Sequence, residues 1–237
     1  MPEHFSEIRC KCEVLIILDN NKVSIVKSIN KDLKRYGLEI VGTFNPQIST
    51  HNLVRVKTLL LVGPKEPNFW RIFKESEEYK DTKPDPLDRW SRRVLTGIAD
   101  KKKTKVYFPF EKEHVWPFYS WALECDSINV SPVKLLVHNK RGLFLSFRGA
   151  LGITQLEQFN EEENSVCDSC RKPCLTACPV GALSPEGYNV TKCKEYISTN
   201  NKKSCYNGCL VRKSCPYGSK SRPDEQSLFH MKSFLKS

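Results

Sequence analysis

The sequence lacks any apolar run long enough to cross a bilayer as a helix, which takes about 20 consecutive residues. Its longest apolar runs, at residues 14–18 and 59–62, have the length of strands. A secretory signal is also missing, because Glu3, Glu7 and Glu13 interrupt the basic and apolar regions that such a signal requires. These absences predict a soluble, cytoplasmic protein without a membrane partner.

Two catalytic signatures are absent as well. The chain has no glycine-rich phosphate loop and no Ser/His/Asp arrangement. Its histidines at positions 51, 114, 138 and 230 are scattered, and no pairing with a cysteine or carboxylate indicates a nucleophilic or metal-binding role for them. His138 lies in an apolar stretch, which predicts a core residue with satisfied hydrogen bonds.

Positive charge is plentiful and unevenly spread. The 237 residues carry a formal net charge of +11, and residues 167–237 contain twelve Lys or Arg against five Asp or Glu. A lysine-rich solvated surface explains such an excess. The sharper interpretation is a docking face, either for a redox partner protein with an acidic surface or for a nucleic acid such as tRNA, although no motif supports the nucleic acid.

Helical and strand patterns alternate over the first two thirds of the chain. The clearest helix begins at Asp85-Pro86, where Asp85 is expected to cap free amides, and buries the stripe Leu87, Trp90, Val94 and Ile98. Strands are predicted at residues 38–43, 58–62, 105–108, 133–138 and 143–147. The strand at 58–62 is apolar throughout and should be central, buried on both faces.

Arg89, Arg92 and Arg93 lie off the apolar stripe of that helix. They form either a solvated face or a contact for phosphate or an acidic partner. The whole pattern predicts an α+β fold with an α/β-like layered N-terminal domain. We divide the chain into an unplaced extension (residues 1–21), this domain of unknown role (22–160) and a cysteine-rich domain (161–237).

Eight of the eleven cysteines fall into two sets in the last third of the chain. The first set has the spacing C-x2-C-x3-C-x3-C-P and ends at Cys178-Pro179. The second set has the spacing C-x11-C-x3-C-x5-C-P and ends at Cys215-Pro216. The first spacing differs by one residue from the bacterial run C-x2-C-x2-C-x3-C-P, whose cysteines bind [4Fe–4S] clusters.

The Cys-Pro endings predict how the two sets share their ligands. Three cysteines close in sequence wrap three corners of a cubane cluster, and the fourth, before proline, binds the other cluster. The first cluster is thus assigned to Cys167, Cys170, Cys174 and Cys215. The second is assigned to Cys193, Cys205, Cys209 and Cys178.

Three alternatives to two clusters remain open from the residues alone. Disulfides fit small secreted domains. Four-cysteine zinc sites also use C-x2-C pairs, although they have no need of a paired Cys-Pro ending. The third alternative is one cluster beside a degenerate second set, because the x11 and x5 spacings are irregular.

Residues 167–216 resemble a bacterial two-cluster [4Fe–4S] ferredoxin-type domain with an insertion in its second motif. The resemblance extends upstream to a bacterial ferredoxin-like family of unknown role. It is carried by residues 59–64, 84–93, 116–118, 135–150 and 229–231. It implies an iron–sulfur protein that transfers single electrons, and an electron carrier is favoured over an enzyme.

The order of parts is also similar to that of the epoxyqueuosine reductases, in which a cobalamin-binding α/β domain precedes two [4Fe–4S] clusters. Here a strand–turn–strand segment with Gly142 and Gly149 stands between the α/β pattern and the cysteines. This second resemblance implies an alternative function, a reductase whose clusters feed electrons to cobalamin or another cofactor in the N-terminal domain. No residue of the chain is assigned a catalytic role.

Overall fold

The computed structural model describes residues 24–47, 53–159, 165–199, 204–218 and 222–236. The predicted extension at residues 1–21 and most of the predicted boundary at 161–165 lie outside these ranges. Helices and small antiparallel sheets are mixed along the chain, so the fold is α+β. Within the described ranges, no helix combines the length and the apolarity that spanning a membrane requires.

A four-stranded sheet organises the N-terminal part. Its strands are β1 (Leu38–Phe44), β2 (Thr58–Pro64), β3 (Lys105–Tyr107) and, later in the chain, β6 (Gly149–Ile153). Their order is β1-β2-β6-β3, and every neighbouring pair is antiparallel. Because its strands pair antiparallel, this domain is α+β and does not contain the parallel sheet of an α/β fold. Its helices and its sheet form separate layers, as predicted.

Helices cover both faces of the sheet. They are α1 (Ile25–Lys34), α2 (Asn68–Lys74), α3 (Glu77–Lys80), α4 (Pro86–Lys102) and α5 (Phe118–Leu123). Successive side chains of β2 point to opposite faces. Leu60 therefore packs with α1, α2 and α4, whereas Leu61 packs with α5. The predicted central strand, buried on both faces, is confirmed.

Helix α4 confirms the predicted stripe, since Leu87, Trp90, Val94 and Ile98 are all buried. The expectation for its cap is wrong. Asp85 has a left-handed backbone (φ 51°) and makes no side-chain cap hydrogen bond. Its carbonyl oxygen instead accepts from the amides of Asp88 and Arg89.

A two-stranded sheet leads from this domain toward the cysteines. It consists of β4 (Ile128–Val130) and β5 (Leu136–His138), and the predicted turn after β5 closes with a bridge between His138 and Gly142. The predicted strand at residues 143–147 is wrong, because that segment is irregular and the strand is β6, beginning at Gly149. Tight packing explains β6: a Cβ on Gly149 would lie 2.6 Å from Leu95 Cδ1.

The cysteine-rich part contains short elements. They are β7 (Leu183–Ser184), β8 (Gly187–Tyr188), α6 (Val190–Thr199), α7 (Leu210–Ser214) and α8 (Asp224–Lys236), with 3₁₀ turns at Pro173–Leu175 and Ser204–Asn207. Helix α8 returns to the first domain. The Glu225 carboxylate accepts from Trp70 Nε1 at 3.0 Å and Lys74 Nζ at 2.8 Å, and the Phe229 ring packs 5.2 Å from that of Trp70.

Candidate metal centre

The first cavity is lined by the four cysteines that the spacing assigns to the first cluster: Cys167, Cys170, Cys174 and Cys215. It encloses about 310 Å³, including the part open to solvent. Three of the cysteines come from the first motif and the fourth closes the second motif. The remaining wall is mostly apolar and includes Val137 and Leu143 of the N-terminal part.

Local backbone geometry arranges the first motif around this cavity. Lys172 has a left-handed backbone (φ 55°), and its amide donates to Cys170 Sγ at 3.3 Å. The 3₁₀ turn at Pro173–Leu175 then directs Cys174 inward, where it is buried. From the other side, Gly142 lies so close to Cys215 that a Cβ would be 2.6 Å from its Sγ.

The second cavity is lined by the other assigned set: Cys178, Cys193, Cys205 and Cys209. It encloses about 320 Å³, nearly the same as the first. Cys193 lies on α6, Cys205 lies in the second 3₁₀ turn and Cys209 caps the start of α7. Cys178 is the contribution of the first motif.

The thiols differ in their electrostatic surroundings. Burial alone would raise the pKa of the Cys178 thiol, but the backbone amides of residues 180–183 hydrogen-bond to its sulfur and bring its pKa below the ordinary value. The Ala182 amide donates at 3.1 Å. Burial raises the pKa of Cys167, Cys174, Cys193 and Cys205. The amides around Cys178 thus favour a thiolate, which is the form that binds metal.

The two cavities are linked by α7. Cys209 precedes this helix and lines the second cavity, whereas Cys215 follows it and lines the first. Six residues of helix rise about 9 Å. The two sets of four thiols therefore lie a short distance apart along one rigid element.

Across the described ranges, no three side chains of His, Cys, Asp or Glu are close enough to hold a single metal ion. In a cubane each thiolate binds a different iron atom, so its cysteines lie farther apart than the ligands of one ion. None of the nine cysteines of the described ranges forms a disulfide. Cys125 is the one of these outside both cavities, and it is buried. Cys10 and Cys12 lie outside the described residues.

A third cavity borders the second one and shares Cys193 and Cys209 with it. It encloses about 940 Å³, including the part open to solvent. Its wall includes Arg148, Arg222 and His230, to which the sequence assigned no functional role. Arg148 and His230 fall in segments that carry the ferredoxin-like resemblance, but no local pattern joins them, because Arg148 precedes Arg222 by 74 residues.

The arginines of α4 are already paired within the chain. Arg89 binds Asp81 at 2.7 Å, Arg93 binds Glu78 at 2.5 Å, and Arg92 stacks its guanidinium 4.6 Å from the centre of the Phe108 ring. Their roles in the structure are therefore intramolecular ones. His138 is a satisfied core residue, as predicted, with Nδ1 accepting from the Lys140 amide at 2.9 Å. His51 lies outside the described residues.

The fold and cavities thus define an α+β chain with two four-cysteine cavities. Comparisons with protein-family models, with curated proteins and with solved structures find no match to this chain. The ferredoxin-type and epoxyqueuosine reductase resemblances stay predictions from the motifs. Function must be argued from the geometry around the cysteines.

Proposed function

We propose that this protein holds two [4Fe–4S] clusters and transfers single electrons. The observation that carries the proposal is the sorting of eight cysteines into two cavities, four in each. Each cavity takes its fourth cysteine from the other motif, which is the ligand exchange of two-cluster ferredoxins. The proposal includes a small bacterial-ferredoxin-like domain over residues 161–237.

The donor set fits such clusters. Soft thiolate ligands select iron–sulfur clusters and zinc over hard cations. The amides of Lys172 and Ala182 donate to cysteine sulfurs, as expected around a negatively charged cluster. When bound, each cluster would accept and release one electron. The chain's own contribution is to supply the thiolates, to donate these hydrogen bonds and to keep the cavities largely apolar.

The charge of the cysteine-rich part favours an acidic redox partner protein. Lys172 borders the first cavity and Arg212 borders the third. Lys213 contributes less, because the Asp224 carboxylate pairs with it at 2.7 Å. Free thiols in such number are typical of a reducing compartment. We therefore place the protein in the cytoplasm.

An alternative function is that of an oxidoreductase whose clusters reduce a bound molecule. It is favoured by the third cavity, which shares two cysteines with the second. Adding cobalamin to the anaerobic protein tests one form of this alternative. A change in the cobalamin spectrum on binding would favour the reductase, and an unchanged spectrum would favour the carrier.

Metal analysis tests the cluster proposal. We expect anaerobically purified protein to contain about eight irons per chain, with the low-temperature paramagnetic resonance signals of reduced [4Fe–4S] clusters. Cys170→Ser and Cys178→Ser should each remove about half of the iron. Cys125→Ser is the matched control, since this buried cysteine lines neither cavity, and it should keep all of the iron.

Paired substitutions test the grouping of ligands. A Cys178→Ser/Cys193→Ser variant changes two cysteines of one cavity, so half of the iron should remain. A Cys174→Ser/Cys178→Ser variant changes one cysteine in each cavity, so both clusters should be lost. Colourless protein loaded with zinc would overturn the redox proposal. Equal iron in the two double variants would overturn the grouping.

A further inference from the structure

The third cavity lies between three parts of the chain. The irregular segment at residues 144–148 forms one side, β7, β8 and the second set of cysteines form another, and α8 closes it. The part of it that water-sized molecules can occupy is about 290 Å³, close to the lower limit for small-molecule sites. It is the largest of the three cavities described above.

Three arginine side chains line this cavity, and each is held by a backbone carbonyl. Arg222 Nη2 donates to Phe144 O at 2.9 Å, Arg148 Nε donates to Phe147 O at 2.9 Å, and Arg212 donates to Leu143 O. The side chains of Arg222 and Arg148 are only 7% and 14% exposed. Because each guanidinium group donates one hydrogen bond to a backbone carbonyl, its remaining donors are held in fixed directions.

Negative charge near these arginines is limited. Glu66 lies 3.5 Å from Arg222, and Asp88 lies 3.2 Å from Arg148. Burial raises the pKa of both carboxyl groups above the ordinary value, although the arginines oppose this effect. The three arginines thus outnumber the two carboxyl groups that contact them.

Three buried polar atoms of residues that line the cavity have no hydrogen-bond partner among the described residues: Ser146 Oγ, Ser227 Oγ and His230 Nε2. Burial, with the three nearby arginines, lowers the pKa of His230 to about 3, so its ring is neutral. A buried polar group without a partner costs about 1–3 kcal/mol. Three such atoms belong to residues of this cavity, and a polar ligand or water that reached them would complete their hydrogen bonds.

The rest of the wall is apolar and aromatic. It includes Phe144, Tyr188, Met231 and Phe234, and the rings of Tyr188 and Phe234 are nearly parallel, 19° apart. Flat rings of this kind favour a flat apolar ligand body. The polar and apolar parts together describe a ligand with an anionic end and an unsaturated or aromatic body.

We propose that this cavity binds a small organic anion, a flat apolar molecule with a carboxylate or phosphate group that the arginines and serines hold. The binding site itself needs no iron. Its position beside Cys193 and Cys209 makes the bound anion the molecule that the second cluster would contact, and this part rests on the proposed function.

Binding of simple probes to the anaerobic full-length protein tests the proposal. Isothermal titration calorimetry would compare benzoate, phenyl phosphate, inorganic phosphate and the neutral benzyl alcohol. We expect benzoate or phenyl phosphate to bind at least ten-fold more tightly than benzyl alcohol and than inorganic phosphate. Preference between the two aromatic anions distinguishes a carboxylate ligand from a phosphate ligand. No binding of either at millimolar concentration would overturn the proposal.

Variants locate the probe. The double variant Glu66→Gln/Arg222→Gln neutralises both partners of a buried ion pair, so neither charge is left unpaired. It should weaken probe binding at least ten-fold. The control, Asp81→Asn/Arg89→Gln, removes a pair on α4 outside the cavity and should leave affinity unchanged. Ser227→Ala is a milder change that keeps the charges, and we expect it to weaken binding about three-fold. Unaltered affinity in both cavity variants would overturn the proposal.

Iron measured in the same samples separates this proposal from the cluster proposal. Probe binding by protein without iron would uphold the cavity and refute the clusters. Full iron without probe binding would uphold the clusters and refute the binding site. It would indicate that the arginines serve only to balance the charge of the second cluster.

Discussion

Substitution of Gly142 by alanine tests how the N-terminal domain supports the first cysteine cavity. Gly142 has a left-handed backbone (φ +54°), and an added Cβ would lie 2.1 Å from the carbonyl oxygen of Tyr217 and 2.6 Å from Cys215 Sγ. Ordinary contact for a Cβ begins at 3.4 Å, so the Tyr217 backbone must retreat by about 1.3 Å, the difference between 3.4 and 2.1. Metal–ligand distances in well-formed sites lie within about 0.2 Å of their standard values, so a backbone shift of this size beside Cys215 should disturb its bond to iron.

The expected result is loss of the first cluster alone. Alanine in a left-handed conformation costs about 1–2 kcal/mol, and the displaced backbone adds to this. Gly187→Ala is the control, since Gly187 also has a positive φ (+140°) but no neighbouring atom within 4 Å of an added Cβ. Both variants should lose stability, whereas only Gly142→Ala should lose about half of the iron.

Iron and sulfide analysis after anaerobic purification gives the cluster content, and thermal unfolding followed by circular dichroism gives the stability. The second cluster should remain in Gly142→Ala, because Cys178, Cys193, Cys205 and Cys209 line a separate cavity. Equal iron content in Gly142→Ala and Gly187→Ala would refute the reasoning. So would a variant that loses the second cluster and keeps the first.

Two further predictions concern stability. Burial, followed by the charge of Lys140, lowers the pKa of His138 to about 4, so the unfolded chain takes up its proton first and stability falls as the pH drops below about 6.5. Between pH 7 and pH 5, the free energy of unfolding of His138→Gln should therefore fall by about 2 kcal/mol less than that of the wild type. Anaerobic urea unfolding measures both values, and equal decreases would contradict the prediction. Gly97 is exposed within α4, with no atom within 4 Å of an added Cβ. Gly97→Ala should gain about 1 kcal/mol and raise the unfolding midpoint by about 2–4 °C, and a lower midpoint would count against the helix.

Part of the fold follows directly from local sequence. The α4 stripe and the apolar strand β2 were predictable because their signals lie within one short segment. Strand β6 was not, since Gly149 and Gly152 weaken its pattern and its two partner strands come from residues 58–62 and 105–107. Its place depends on close approach of Leu95 and Val56, which no local rule contains.

The cysteine spacing by itself predicted the two groups of four thiols that line the two cavities, because each motif is local and the residue before proline is expected to turn away from its own loop. Only the tertiary structure decided that Gly142 packs closely against Cys215. It also decided which distant residues line the third cavity beside Cys193 and Cys209, namely Arg148, Arg222 and His230. These groups belong to different parts of the chain, and packing of α8 against the first domain brings them together. A cavity formed by such distant residues has no linear pattern to detect.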